Sequence, residues 1–537
     1  MKSTYGILPA AAAALCGCAQ GTPQSSEARE PKETKDLGRP NIVVIITDQQ
    51  RADLTAREGF PCDLTPFVDR MAQEGAWFNR AYTPCPASGP ARVSTLTGRF
   101  GSVTHADCNH NLLDAVYSKD LFQVAQESGY NTVLVGKNHS HMTAANADYW
   151  LPFSHLGQDA PDDVKRPEDA EFDHYLKTLS FFMDLKPAPG TVENQLPYRM
   201  VTDALEWTAG HGQDKPFVMW FAVNEPHNPY QVCEPYYSMF DGQIPDASTD
   251  ASVLKYKGEK YELMQKQMNE CHIGTTEHMA RIRANYMGMI RLIDDQIARL
   301  VEGFKEQGLY DNTIFVVTTD HGDYCGEYGL MKKGAGLDEV TTRIPMVWFG
   351  KGIEACGLRD DFVSLIDIMP TACEIMGHKI PVGVQGRSLL NMLEGLSYPK
   401  EEFQSIMSEH GFGGQFITEE DDPNMFYDRQ ALNPKPFYDE LNTWSQSGHM
   451  CMVRKGDWKL ITDMTGFNRL YNLAKDPVEL NNLAGKARYS RKENEMMQEL
   501  LKWTIGANDP IPIPRHRYTQ KRFKHNYMFH GEPEIAR

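Results

Sequence analysis

Five apolar runs in this sequence each end in, or are followed directly by, a polar or charged side chain. They are NIVVIITD (41–48), NTVLVGK (131–137), PFVMWFAVN (216–224), NTIFVVTTD (312–320) and IPMVWFG (344–350). A run that is apolar at nearly every position is typical of a strand buried on both faces, as in a parallel sheet. We therefore predict a buried strand at each of the five.

Helical patterns lie between these strands, and the clearest places apolar residues at helical spacing from Tyr286 to Phe304. The alternation predicts an α/β fold with a large mixed, mostly parallel sheet flanked by helices. Ligands of such sheets bind beyond the carboxyl ends of the strands. The side chains expected there, which predict one composite site, are Asp48, Lys137, Asn224 and Asp320.

The pattern of apolar and polar residues changes after about residue 400. We predict short antiparallel strands within Met450–Ile461 and Arg469–Asn472, a helix over Glu495–Thr504 and an extended tail over Asp509–Arg515. A catalytic domain over 40–400 is therefore expected to precede a smaller C-terminal α+β subdomain and tail over 401–537. The stretches 140–200 and 228–275 lack strong periodicity, so long loops are expected there.

Net charge narrows the range of partners. The chain carries 54 Lys and Arg against 72 Asp and Glu, a formal net charge of −18. This charge argues against nucleic acid as a partner and against electrostatic adhesion to anionic membranes. A local cationic pocket for a small anionic substrate is still compatible with an acidic protein.

The N-terminus has the features of an export signal. Lys2 is followed by a short apolar run of small residues that is too short to span a bilayer. The sequence LCGC (15–18) resembles a bacterial lipoprotein cleavage box, with Cys18 as the lipidated residue. We expect a signal peptide over 1–18, a flexible tether over 19–39 and an exported, lipid-anchored protein at the periplasm or cell surface. A plain secretory signal cut slightly further on is the alternative.

The cysteines give no metal or haem motif. There are 11, two of them in the signal region, and the rest are scattered without CxxC spacing. One or two disulfides are compatible with export, but their pairing cannot be read from the spacing. Most of these cysteines are expected to be small buried hydrophobic residues.

The stretch TPCPASGPARVSTLTGRF (83–100) contains two candidate nucleophiles, Cys85 and Ser88. Only Ser88 has a Pro two residues on and an Arg four residues on, followed by Thr-Gly-Arg. This pattern resembles the sulfatase signature [Cys/Ser]-x-Pro-x-Arg, whose first residue is oxidised to formylglycine. The resemblance selects Ser88 and implies that Cys85 has no catalytic role. The chain is similar to the serine-type bacterial sulfatases of the alkaline-phosphatase-like superfamily, which need a radical maturase.

The position of Ser88 suits this chemistry. A Ser before Gly-Pro at the start of a helical pattern resembles an N-cap, where free backbone N–H groups favour an oxyanion. The resemblance implies a formylglycine hydrate beside a divalent cation. One hydroxyl of the hydrate attacks sulfur, the second expels sulfate, and Arg92 steadies the deprotonated hydrate.

Two strand-end pairs, Asp48-Gln49 and Asp320-His321, resemble the family's cation site when taken together with Ser88. Many sulfatases have Asp-Asp and Asp-Asn there. Gln49 and His321 resemble instead the site of choline sulfatases, phosphonate monoester hydrolases and some carbohydrate sulfatases. Oxygen-rich ligands favour calcium or magnesium, whereas the His and the amide are also compatible with manganese. Taken singly, Asp-His-Gly would be a turn with a solvated charge.

Three further motifs match the family's sulfate-binding elements: GKNH (136–139), PHNPY (226–230) and GLMKK (329–333). The resemblance assigns Lys137 and His139 to the sulfate, His227 to the leaving-group oxygen and Lys333 to a second sulfate contact. Lys332 is the rival of Lys333, because a shift of one residue in alignment exchanges them. A lone Lys or His is usually a surface or core residue, but five matches in family order change that expectation.

The C-terminal region adds WKLI (458–461) and LYNLAKDPVELNNL (470–483), which resemble the family's structural closing segment. The resemblance covers roughly residues 38 to 490. Beyond it, the basic tail 515–525 could line a polyanion site or be a solvated tail.

The resemblance thus implies an exported sulfatase acting on a sulfated carbohydrate such as a glycosaminoglycan, mucin glycan or algal polysaccharide. A phosphonate or phosphodiester hydrolase is the closest enzymatic alternative, because the Asp-Gln and Asp-His pairs occur there too. The non-enzymatic alternative is a lipoprotein that binds sulfated glycans and keeps Ser88 unmodified.

Overall fold

The three-dimensional structure is a computed structural model. It describes residues 37–508, except 110, 180–181, 212–214, 272–273, 335 and 412–447. The predicted signal peptide with Cys18, nearly all of the predicted tether, and the tail from Asp509 lie outside the described residues.

Strands occupy short, mostly buried segments of the described chain. In chain order they are β1 (Asn41–Thr47), β2 (Ala76–Phe78), β3 (Ala81–Tyr82), β4 (Asn131–Gly136), β5 (Tyr149–Ser154), β6 (Gly157–Gln158), β7 (Phe217–Ala222), β8 (Thr313–Thr319), β9 (Arg343–Ile344), β10 (Met346–Gly350), β11 (Gly357–Arg359), β12 (Val363–Ser364), β13 (Ser405–His410), β14 (Met450–Lys455), β15 (Trp458–Asp463) and β16 (Arg469–Asn472). Every strand predicted from an apolar run is present.

The α-helices of the described residues are α1 (Pro66–Glu74), α2 (Ser88–Thr97), α3 (Gly101–Thr104), α4 (Leu121–Glu127), α5 (Pro167–Thr178), α6 (Leu196–His211), α7 (Glu259–Cys271), α8 (Thr275–Glu306), α9 (Glu339–Thr342), α10 (Ile368–Ile375), α11 (Leu390–Leu393) and α12 (Ser490–Ala507). The helix predicted from the Tyr286–Phe304 pattern is the C-terminal part of α8. Most of its apolar stripe is buried against the sheet.

The largest sheet has nine strands in the order β11-β2-β10-β8-β1-β7-β4-β5-β6. Successive residues of β1 point to opposite faces, as the period of a strand requires. Ile42, Val44 and Ile46 join a core with α2, α4 and α10, whereas Val43 and Ile45 join a core with α1, α5, α6 and α8. Helices therefore cover both faces, which explains why the central strands are apolar at nearly every position.

Five neighbouring strands of this sheet, β8, β1, β7, β4 and β5, run parallel to one another. Their carboxyl ends therefore meet at one edge of the sheet. The polar side chains at or just after these ends follow the same spatial order: Asp320, Asp48, Asn224, Lys137 and His155. This edge is where the sequence places a composite site.

Strands β13, β14, β15 and β16 form a separate antiparallel sheet, on which α12 packs. Its core also contains Tyr82, Phe100 and Phe362 from the first part of the chain. The fold class is confirmed: a large, mostly parallel sheet flanked by helices, with a C-terminal α+β part. The predicted domain boundary near residue 400 stays a prediction.

The expectation of long loops over 140–200 and 228–275 was wrong in part. The first stretch contains β5, β6 and α5, and the second contains α7. Strand β5 lies near the edge of the sheet and most of its residues are only half-buried, so no apolar run marks it. Helix α5 buries only two apolar side chains, Phe172 and Leu176, which is too few to give a periodic signal.

Neither a disulfide nor a membrane span is found in the part of the chain that the structure describes. The cysteines whose surroundings are described are all free thiols. No helix there combines the length and the apolar composition that crossing a bilayer requires.

Gly136 ends β4 immediately before Lys137 and has a φ of +100°. A Cβ on Gly136 would lie 2.0 Å from the backbone oxygen of Ala222 on β7. Because that oxygen belongs to the sheet, it cannot move aside as a flexible side chain could. Only glycine fits at this turn into the site.

We predict that Gly136→Ala lowers the free energy of unfolding by about 3 kcal/mol or more, from backbone strain plus overpacking. The matched control is Gly377→Ala. Gly377 also has a positive φ, of +69°, but nothing lies within 4 Å of a Cβ there. The control variant should lose only about 1 kcal/mol, and thermal melting of both variants measures the difference. Equal losses would contradict the clash.

Candidate active site

Ser88 lies at the start of α2, and every residue of this helix is buried. Its Oγ is 3.3 Å from Asp48 Oδ1 and 2.9 Å from His321 Nε2. Ser88 is the first helical residue rather than the predicted N-cap, because the extended residue Ala87 takes the capping position. The helix still begins here, so its positive end points at the Ser88 hydroxyl.

Cys85 contacts a different residue from those around Ser88. Its Sγ is 4.0 Å from Nδ1 of His410 on β13. Burial raises the pKa of the Cys85 thiol well above its ordinary value, and the nearby Glu409 carboxylate adds to the effect. A thiol in these surroundings is a poor nucleophile.

Two fully buried carboxylates, Asp48 and Asp320, are compensated by shared cations. Arg92 on α2 donates from Nε to Asp320 Oδ2 at 3.0 Å and from its Nη2 to Asp48 Oδ2 at 3.2 Å. Lys137 Nζ contacts the same Asp48 oxygen. Burial raises the pKa of Asp48, but the positive charges of Lys137 and Arg92 outweigh this effect and hold the pKa well below its usual range.

Asp48, Asp320 and His321 could hold a metal ion, since one ligand atom from each lies within 4.8 Å of the others. Nδ1 of His321 is 2.9 Å from the backbone oxygen of Gly322. A proton on Nδ1 leaves the lone pair on Nε2, the nitrogen that faces Ser88. Two carboxylates, one imidazole and a hydroxyl form a donor set that suits Ca²⁺, Mg²⁺ or Mn²⁺.

Gln49 follows Asp48 in the left-handed region, at φ 68°. Its side-chain Nε2 donates to Asp323 Oδ2 at 2.6 Å, and its Oε1 accepts from Lys333 Nζ at 2.6 Å. Gln49 therefore links a lysine to the cluster, and its predicted role as a metal ligand stays a prediction. Of the two rival lysines, Lys333 makes this contact. The backbone N–H of Lys332 donates to Asp323 Oδ1 at 3.0 Å.

Lys137 is buried between a negatively charged and a positively charged side chain, which together with burial determine its pKa. Burial lowers its pKa to about 8, and the positive charge of Arg92 adds to that effect, whereas Asp48 opposes it. Its Nζ is 2.8 Å from His155 Nε2. Lys137 is therefore still mostly protonated at pH 7, and an anion placed beside it would raise its pKa, because an opposite charge favours the charged form.

Three histidines surround Lys137. The rings of His155 and His227 are stacked, with centroids 3.9 Å apart. Burial lowers the pKa values of His139, His155 and His227 well below the ordinary value, and the charge of Lys137 lowers each of them further. The histidines are therefore neutral at pH 7 before an anion enters.

The C-terminal sheet supports the segment that leads to Ser88. Ser408 Oγ on β13 donates to the backbone oxygen of Thr83 at 2.6 Å. The backbone N–H of Glu409 donates to the backbone oxygen of Pro84 at 2.8 Å. These bonds fix the chain just before α2. The C-terminal closing segment is also tied down, because the buried Lys459 pairs with Glu339 and Glu479.

The structure brings together Ser88, Arg92, Lys137, Asp48, Gln49, Asp320, His321 and Lys333 through direct contacts. His139 and His227 lie within electrostatic reach of Lys137 and Asp48. The catalytic and metal-binding roles of these residues stay predictions.

Sequence reasoning missed two members of the cluster. His155 follows β5, so recognising that strand would have placed it at the shared sheet edge. Asp323 comes three residues after Asp320 and accepts hydrogen bonds from Gln49 and Tyr230, at 2.6 and 2.7 Å. Burial raises the pKa of Asp323 to about 6. Its place within Asp-His-Gly-Asp was the available signal.

Comparison with known proteins gives a family match over residues 40–378, to the family described as Sulfatase. Arylsulfatase from Clostridium perfringens is 26% identical over 501 residues, covering 88% of this chain and 95% of the relative. N-acetylglucosamine-6-O-sulfatase from Bacteroides thetaiotaomicron is 24% identical over 554 residues, covering 92% and 89%.

The fold is also found among solved structures. Phosphonate monoester hydrolase of Agrobacterium radiobacter superposes with a TM-score of 0.70 at 22% sequence identity. The match covers 88% of this chain and 97% of that one. At this identity the likeness shows a shared fold.

Proposed function

The chain belongs to the sulfatase family and hydrolyses sulfuric esters, and we propose that its substrates are sulfated carbohydrates. The observation that carries the proposal is the grouping of Ser88 with Asp48, Asp320 and His321 at the edge of the sheet. Lys137 and Lys333 contact this group through Asp48 and Gln49. A nucleophile beside a cation site and buried ammonium groups suits attack on a tetrahedral anion.

Asp48, Asp320 and His321, with the side chain at position 88, would hold the divalent cation. Calcium is the ion we propose, with magnesium and manganese as alternatives. Such an ion polarises the sulfuryl oxygens and favours the ionised nucleophile. Arg92 keeps both carboxylates in place, because it pairs with each of them at 3.2 Å or less.

Lys137, Lys333 and the neighbouring histidines would bind the sulfate group. A negatively charged ester entering between them raises their pKa values, because a nearby anion favours the charged form. Lys137, whose pKa is about 8 without substrate, would then be fully protonated. Because Lys137 is already mostly charged at pH 7, the charge gained on substrate binding would fall chiefly on the histidines.

His227 is the proposed proton donor to the leaving oxygen. Its Nδ1 is 2.7 Å from the backbone oxygen of Asn228, a contact that keeps a proton on this nitrogen. His227 would have to gain a second proton, on Nε2, when the sulfate ester raises its pKa, and that Nε2 proton is the one it would transfer to the leaving oxygen. His155, stacked on the ring, holds its plane and links it to Lys137.

Ser88 is proposed to be converted to formylglycine by a radical sulfatase-maturating enzyme. In its hydrated form this side chain offers one hydroxyl to attack sulfur and a second to expel sulfate, which a serine cannot do. The support is the match of residues 88–99 to the family signature, together with the place of Ser88 in the cluster.

The carbohydrate substrate class is supported by the relative whose name specifies N-acetylglucosamine 6-O-sulfate chemistry. We also propose that the chain is exported and lipid-anchored through Cys18, on the basis of the N-terminal sequence. An enzyme at the cell surface or in the periplasm meets glycan fragments directly.

The function is tested with a panel of defined sulfated mono- and disaccharides, after co-expression with a maturase. We expect sulfate release from at least one sugar, and a higher initial rate on an aryl sulfate than on an aryl phosphodiester with the same leaving group. Ser88→Ala should abolish release. A preference for the phosphodiester would show instead a phosphonate or phosphodiester hydrolase.

Peptide mass spectrometry across residues 83–99 tests the modification. We expect the Ser88 peptide to be lighter by two hydrogen atoms after co-expression, and fragmentation to locate the change at Ser88. Cys85→Ala, the matched control, should keep the conversion, because that thiol makes no contact with the cluster. An unmodified peptide together with glycan binding but no hydrolysis would show a binding lipoprotein.

The two adjacent lysines give a second matched pair. Lys333→Met should lower kcat/KM for an aryl sulfate roughly a hundredfold or more, because a charged partner of the reacting anion is lost. Lys332→Met should lower it far less, once both rates are corrected for folded protein. A larger loss in Lys332→Met would reverse the assignment.

A further inference from the structure

A second cluster of metal-ligating side chains lies on the C-terminal sheet. Glu409 on β13 and Cys451 on β14 are directly opposite one another in the antiparallel register. His449 comes two residues before Cys451, next to the start of β14. Opposite and alternate positions of a strand pair share one face of the sheet, so all three side chains converge.

The distances suit a metal ion. One ligand atom from each of Glu409, His449 and Cys451 lies within 4.8 Å of the other two. His449 Nε2 and Cys451 Sγ are 3.3 Å apart. In a tetrahedral zinc site the edge between a nitrogen and a sulfur ligand is about 3.5 Å, from bond lengths near 2.0 and 2.3 Å.

The surroundings hold one ligand in place and bring a further carboxylate near. The backbone N–H of Ser102 on α3 donates to Glu409 Oε1 at 2.8 Å, which orients the carboxylate. Gly101 has no side chain here, and a Cβ on it would lie 3.4 Å from Glu409 Oε1 and 3.5 Å from Asp107 Oδ1. Asp107 is therefore a neighbour that could take a fourth position.

Access and chemistry both favour binding. Glu409 is buried, whereas His449 and Cys451 are partly exposed, so an ion can enter from solvent. Thiolate and imidazole ligands select zinc over calcium or magnesium. The cluster is distinct from the candidate active site, in which none of the predicted ligands is a cysteine.

We propose that Glu409, His449 and Cys451 form a zinc site. Binding replaces the thiol proton of Cys451 with the metal ion and releases that proton to solvent. The site joins β13 and β14 and, through Glu409 and Ser102, α3. Zinc here would fasten the C-terminal sheet to the segment that follows α2, so its effect is on stability rather than on the chemistry at Ser88.

Cobalt substitution provides a direct test on the full-length protein. Co²⁺ added to the metal-free protein should give a thiolate-to-cobalt charge-transfer absorption, to which the Asp48, Asp320 and His321 site cannot contribute. Cys451→Ser should abolish this absorption. Cys356→Ser, a partly exposed cysteine whose Sγ contacts Arg359 Nε at 3.1 Å, is the control and should leave it unchanged.

Zinc content gives the second measurement. The wild-type protein, loaded with Zn²⁺ and freed of excess ion, should hold one equivalent more zinc than Cys451→Ser or His449→Ala. Zinc should also raise the melting temperature of the wild type and not that of these variants. No charge-transfer band in the wild type, or equal zinc in wild type and Cys451→Ser, would overturn the proposal. Neither result depends on sulfatase activity.

Discussion

Charge compensation within the sheet edge is the constraint on which the rest of the site depends. Asp48 and Asp320 lose all contact with water at the ends of adjacent parallel strands. Arg92 reaches both of them, and Lys137 reaches Asp48 from the other side. Removing one partner of such a buried pair typically destabilises a protein by about 3–5 kcal/mol. The helix that carries Arg92 also carries Ser88, so the interaction that neutralises the carboxylates places Ser88 beside them.

The sheet and its edge could be predicted because the central strands bury both faces. The apolar runs before Asp48, Lys137 and Asp320 therefore stand out, and parallel neighbours must end together. His155 escaped this reasoning because β5 is half-buried and carries no such run. The choice of Ser88 over Cys85 as the candidate nucleophile required the family signature, since nothing in the composition separates the two.

Side-chain direction after a strand end could not be read from the sequence. Gln49 turns into the left-handed region, and its amide lies between Lys333 and Asp323. The Glu409, His449 and Cys451 cluster was equally hidden. Glu409 lies 40 residues before His449 in the chain, and the pairing of β13 with β14 brings it next to His449 and Cys451. Cysteine spacing detects sites built within one loop, not sites built across a strand pair.

The complete burial of Ser88 has a consequence for the order of events in the life of the chain. Its side chain has no exposed surface in the folded protein, and the helix around it is enclosed on all sides. The proposed oxidation of Ser88 would therefore have to take place while the polypeptide is still unfolded. On this proposal, a molecule that folds before it is oxidised keeps a serine at position 88. The fraction of converted protein would then depend on the rate of oxidation relative to the rate of folding.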